Sequence, residues 1–161
     1  MEMEDRVSNR LPSLDPVTTA GWAALILRCT LGVTFLAHGI QKIVAFGWTG
    51  GIPNFRAWGI PLADIAYPLT VVTEAGGGLL LLVGFWVRPA AAALTVVMLV
   101  ALGTVHLPHG FFLPHGIEFV LVLAGASFAL LLLGPGRWAL GKHIRVGSFD
   151  RWRFPQTGRQ R

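Results

Sequence analysis

Apolar residues fall into four long runs along this chain, separated by short polar stretches. The runs cover roughly residues 21–46, 65–85, 89–107 and 116–133. A bilayer core takes about 20 apolar residues per helix, so each run predicts a spanning helix or nearly one. Stretches such as "LLLLVGF" and "FALLLLG" leave no polar face for water, which argues against a soluble helical bundle. Each run also holds glycines or polar residues that an isolated anchor would avoid. The prediction is therefore an all-α fold, a four-transmembrane-helix bundle whose spans shield one another. Pro89 suits the first turn of the third helix, and the Gly134–Gly136 segment "GPG" stops the fourth.

Composition supports this reading. Charged residues make up only 13% of the chain and hydrophobic residues 53%, against about 25% charged in a typical soluble domain. Seven of the thirteen basic residues follow Gly134: Arg137, Lys142, Arg145, Arg151, Arg153, Arg159 and Arg161. A basic tail with tryptophans can serve nucleic acid or an anionic membrane surface. Beside hydrophobic spans it is read as a lipid-facing tail, with no nucleic-acid partner, because each basic residue gains about 1 kcal/mol near acidic lipid. The single cysteine, Cys29, excludes an internal disulfide, a Cys-x-x-Cys redox pair and an all-thiolate metal site. The acidic, Pro-containing start lacks the basic n-region of a signal peptide and reads as a retained mobile arm.

Orientation follows from the flanking cations. Arg6, Arg10, Arg88 and the tail fall on one side of four spans, while Arg56 and Lys42 lie toward the other. The positive side is cytoplasmic, so both termini are expected there. The resulting division is a mobile cytoplasmic arm over 1–19, a membrane domain over 20–134 and a basic cytoplasmic tail over 135–161. Trp48, Phe55 and Trp58 mark the first external loop as interfacial or partly re-entrant.

A carboxylate inside a span demands an explanation. Glu74 lies in "TVVTEAGGGLLLLVGF", and a charge near the centre of a spanning helix costs about 2.5 to 3.5 kcal/mol unless it meets partners or water. In the first span Arg28, Phe35 and Lys42 recur every seven residues, and His38 falls on the same face. At 1.5 Å per residue, His38 lies about 12 Å below the external end of its span and Glu74 about 13 Å below the same surface. His106 ends the third span outward, and Glu118 begins the fourth. All four helices thus bring an ionisable residue to the outer half of the bundle. The glycines have a simpler role, since Gly32 with Gly39, and Gly77 with Gly84, are spaced to let helices approach.

Three kinds of chemistry remain open for this cluster. His38, Lys42 and Glu74 could serve as catalytic residues and, with His106 and Glu118, bind a quinone head group, since quinone reduction consumes protons. Metal or haem is disfavoured: His106, His109, His115 and Glu118 match no known closed site, and no haem-attachment motif is present, so no metal ligand is assigned. His109 and His115 themselves read as solvated loop residues. The third possibility is structural: Glu74 pairing with Lys42 or Arg28, and Glu118 with His106, would fix helix register. The Gly-rich "EAGGGLL" lacks the Lys and Ser/Thr of a phosphate-binding loop.

The segments "RCTLGVTFLAHGIQK", "TEAGGGLLLLVGFWVRPAA", "GFF…GIEF" and "LLLGPGRWAL" together resemble the DoxX family of four-helix bacterial membrane proteins. The resemblance runs from about Leu27 to Leu140. It implies a multi-pass protein of the bacterial inner membrane. Some relatives of the family are membrane subunits of a thiosulfate:quinone oxidoreductase, and others are linked to oxidative stress. The implied role is a membrane subunit of a quinone-linked oxidoreductase, working with other subunits or as a homo-oligomer. A non-catalytic assembly or scaffold subunit is the alternative.

The orientation is directly testable. Alkaline phosphatase fused after Arg161 should be inactive, and the same reporter inserted near Phe55 should be active. The opposite pattern would invert the placement of every polar residue.

Overall fold

The computed structural model describes residues 16–136 and 138–142. The arm up to residue 15, Arg137 and the tail beyond Lys142 lie outside the described residues. Helix α1 runs Pro16–Phe46, the short α2 Ile52–Ala57, α3 Ala63–Val83, α4 Val87–Ala101 and α5 Glu118–Leu133. A π-helical turn, Leu102–His106, and a 3₁₀ turn, Leu107–His109, extend α4. No strand occurs among the described residues.

Burial is inverted relative to a water-soluble domain. Large apolar side chains such as Val33, Val44, Leu69, Val96 and Val122 face outward, while Arg28 and Glu74 are 2% and 3% exposed. Lipid accepts the former and must not meet the latter. Three helical stretches, Thr18–Phe46, Ala63–Val83 and Val87–His109, are long and apolar enough to cross a bilayer. The fourth expected span is shorter: α5 has 16 residues rather than the eighteen of 116–133. Before it, the Gly116 N–H is spent on Phe112 O in a loop turn. After it, Gly134 at φ +79° leaves the helical region.

The long helices form a ring in which α1 packs on α3 and α5, and α4 packs on α3 and α5. Contact is most extensive between α1 and α3 and between α4 and α5. The α1–α3 seam is close because glycines line it. A Cβ at Gly39 would strike the backbone of Ala75, and one at Gly78 the backbone of Leu36 and Gly32. Gly32 faces Leu82. The expected pair Gly32 and Gly39 thus sits at the seam, but its partner across it is Gly78. Gly77 instead faces the side chain of Leu94 on α4. Gly84 ends α3 as a left-handed cap at φ 72°, its N–H directed at Leu80 O and Leu81 O, so it turns the chain rather than lining a helix face.

The core divides in two. One cluster runs through the bundle and includes Leu31, Phe35, Leu81, Leu94, Leu123 and Leu130. A smaller one lies under α2 and joins Phe55, Ile60, Ala63, Tyr67 and Val71. The Tyr67 hydroxyl is 3.0 Å from Gly47 O and 3.3 Å from Lys42 O, and its ring meets Phe55 edge-on at 5.2 Å. These contacts pin the α1–α3 connection over the bundle.

At the opposite end Arg28 closes the structure. Its Nε donates to Leu81 O at 3.1 Å, one terminal nitrogen to Pro135 O at 2.6 Å and the other to Trp138 O at 3.0 Å. One side chain thereby joins α1, the end of α3 and the segment after α5. Trp22 packs on Trp138 at 6.1 Å beside this clamp. Carbonyls at a helix C-terminus carry partial negative charge, so a guanidinium suits them without a carboxylate.

Replacing Arg28 with Met would take the side-chain donor from Pro135 O and Trp138 O, at about 1–3 kcal/mol each, while Leu81 O keeps the Gly84 N–H. Arg28→Met should lower the thermal midpoint of the detergent-solubilised protein, and Arg28→Lys should recover less than half of the loss. A lysine ammonium cannot span three separated acceptors. Full rescue by Lys would mean that charge alone, not the fork, holds this end together.

Candidate functional site

One register of α3 determines the site. Tyr67, Val71, Glu74, Gly78 and Leu81 follow a spacing of four, three, four and three, and all but one touch the interior as bulky or polar side chains. Gly78 supplies none, and its absence of a side chain lets α1 come close enough for Lys42 to reach Glu74. The Lys42 ammonium donates to Glu74 Oε2 in an ion pair. The Glu74 side chain is 4% exposed and that of Lys42 26%. The carboxylate is thus enclosed, while the lysine stem reaches toward the loop end of the bundle.

The other expected members are arranged differently. His38, one turn below Lys42 on α1, packs its ring against Phe119 of α5 at 6.2 Å. His106 and Glu118 do not pair. His106 Nδ1 is 2.8 Å from His115 O, and Glu118 Oε1 accepts the Leu113 N–H at 2.9 Å. His106 closes the π-helical turn after α4 and Glu118 opens α5, and from these two ends they brace the loop between them. The π-helical turn ending at His106 adds a residue to the last turn of α4, an irregularity often found at functional positions. Arg28 is not the partner of Glu74; its acceptors are the carbonyls described above. Of the five candidates, then, the structure joins Lys42 directly to Glu74, sets His38 against the neighbouring helix and ties His106 and Glu118 to the backbone of the α4–α5 loop.

Among the described residues no group of three or more His, Cys, Asp or Glu is arranged to hold a metal ion. On the first loop, Arg56 Nη2 donates to both carboxylate oxygens of Asp64, at 2.7 and 2.8 Å. That hydrogen bond first, and the charge of Asp64 second, raise the Arg56 pKa above its ordinary value. The pair is well exposed, so its contribution to stability is small.

Two further residues shape the site, and both carry a signal in the sequence that the pattern of charges does not reveal. Tyr67 lies seven residues before Glu74, hence on the same face, and is the only tyrosine in the chain. Gly78 lies four after it. Ser127, by contrast, is fully buried on α5 with no hydrogen-bond partner for its Oγ among the described residues, and nothing in its spacing marks it.

Comparison with known proteins identifies the family. The DoxX family model matches residues 23–107, which contain most of α1, all of α2, α3 and α4, and the Lys42–Glu74 pair. An uncharacterized membrane protein of Mycobacterium tuberculosis is 31% identical over 133 residues, covering 76% of this chain and 81% of the relative. The inner membrane protein YphA of Escherichia coli is 28% identical over 127 residues, covering 73% of this chain and 87% of that protein. No solved structure matches. The matched region, the inverted burial and the apolar helices agree: this chain is a multi-pass bacterial inner-membrane protein and belongs to the DoxX family.

Proposed function

We propose that the chain is the membrane subunit of a quinone-linked oxidoreductase of the thiosulfate- or oxidative-stress-related class, with its quinone head-group site at Lys42 and Glu74. The observation that carries the reading is the ion pair itself. A carboxylate this enclosed costs free energy in a bundle, and it is held by a lysine that keeps about a quarter of its side chain accessible. An ammonium has three hydrogens, and only one is directed at Glu74. The others suit a quinone carbonyl oxygen. Glu74 is the proton-handling group in this reading, and His38, one turn below Lys42 on α1, is the relay. Reduction of a quinone takes up two electrons and two protons. The electrons would come from a partner subunit, as the resemblance to thiosulfate:quinone oxidoreductase subunits implies.

Chemistry and stability can be separated at Glu74. The Glu74→Gln protein keeps the size and much of the hydrogen bonding of the native side chain. Assayed in native membranes, it should fold but lose more than about 100-fold in quinone reduction at every substrate concentration, in line with the loss of a positioned proton donor. Organic extraction of the wild-type protein should release a quinone seen in its ultraviolet spectrum. Unchanged turnover in Glu74→Gln, or a wild-type protein that neither holds nor reduces quinone, would leave the scaffold role instead.

A further inference from the structure

The α4–α5 loop carries a feature that the Lys42–Glu74 reading does not use. His109 and His115 face each other across it, with ring centres 5.9 Å apart and planes tilted by 51°. Both are exposed. We propose that this pair binds one late first-row divalent cation, of the Cu²⁺ or Zn²⁺ class, through one nitrogen of each ring.

Proton placement comes first. His109 Nδ1 lies 2.9 Å from Val105 O. A carbonyl can only accept, so Nδ1 carries the hydrogen and the neutral ring presents the lone pair of Nε2. A histidine whose far nitrogen is tied to a backbone carbonyl is the arrangement that fixes tautomer and ring direction in metal-ligating imidazoles. The same bond at His106, Nδ1 to His115 O at 2.8 Å, does not supply a ligand but anchors the backbone of His115. The His115 ring makes no hydrogen bond among the described residues and is free to turn toward His109.

Distance comes next. With a metal–nitrogen bond of about 2.0–2.1 Å, a cation sits about 3.2 Å from each ring centre, so two rings sharing it stand at most about 6.4 Å apart. A tetrahedral angle at the metal sets the ring centres about 5.2 Å apart, so the observed 5.9 Å closes onto one shared cation with a small rotation of the His115 ring. The frame is also braced: Ile117 N–H bonds to Gly110 O at 3.0 Å, Glu118 N–H to Phe111 O at 2.9 Å, and Glu118 Oε1 accepts from Leu113. The two ligands are therefore held by a closed loop rather than a free one. No third His, Cys, Asp or Glu joins them among the described residues, so the remaining positions are open to water. Imidazole nitrogens select copper, zinc and nickel over calcium or magnesium. The linear spacing alone matches no closed site; the folded loop supplies an open one.

Untagged, full-length protein in detergent tests this by Cu²⁺ electron paramagnetic resonance and by calorimetry with Cu²⁺ and Zn²⁺. One equivalent of Cu²⁺ should bind and show coupling to two imidazole nitrogens. His109→Gln and His115→Gln, each checked for helix content by circular dichroism, should weaken binding by more than about tenfold. His143→Gln, in the tail, should leave it unchanged. Four outcomes overturn the proposal: no binding by the wild-type chain, binding that survives both loop replacements, loss confined to one of the two loop positions, or loss on replacing His143.

Discussion

Everything polar in this bundle must be satisfied by the bundle itself, because lipid offers no hydrogen bonds. That constraint falls on the α1–α3 seam. Arg28 and Lys42 lie on one face of α1, Leu81 and Glu74 on the facing side of α3, and glycines bring the two backbones into contact. The cations are handled in different ways. Arg28, at the end where the chain turns, spreads its fork over three carbonyls. Lys42, nearer the opposite end, meets a full negative charge. The first arrangement ties three segments together; the second creates an enclosed, ionisable pair. Both need the close approach that Gly39 and Gly78 allow, since a Cβ at either would push the helices apart.

An ion pair of this kind is poor evidence for stability. Desolvating both charges can offset their attraction, and a well-packed apolar pair would often serve the fold as well or better. Arg28 shows that this chain can settle a buried cation without any carboxylate. The carboxylate at position 74 is the acceptor that Lys42 finds in place of such carbonyls, and it is the group to which the proposed function assigns proton handling. Tyr67 adds to the same end of the seam by holding Gly47 O, so that the connection after α1 stays folded over Lys42 and Glu74.

The four apolar runs, the inward face of Arg28, Phe35, His38 and Lys42, and the meeting of Glu74 with α1 were legible in the sequence because each rests on helical periodicity and depth. What was not legible depends on loops. The acceptors of Arg28 are backbone carbonyls, two of them in the stretch after α5, and a carbonyl has no signature in an amino-acid sequence. Glu118 was expected near His106 because both sit at the ends of spans. In the fold the loop between them curls, so each bonds to the loop backbone. Gly84 differs for a related reason: its sevenfold spacing from Gly77 suggests a helix face, but α3 has already ended there.

The Lys42–Glu74 ion pair joins α1 to α3, and a double-mutant cycle in thermal unfolding measures the energetic coupling between the two residues most directly. Lys42→Met and Glu74→Gln should each lower the melting temperature in detergent, because each strands a charge in a largely enclosed site. The double replacement should be more stable than the sum of the two losses allows, by an interaction of about 0.5–3 kcal/mol. Strictly additive losses would contradict the coupling on which the site depends.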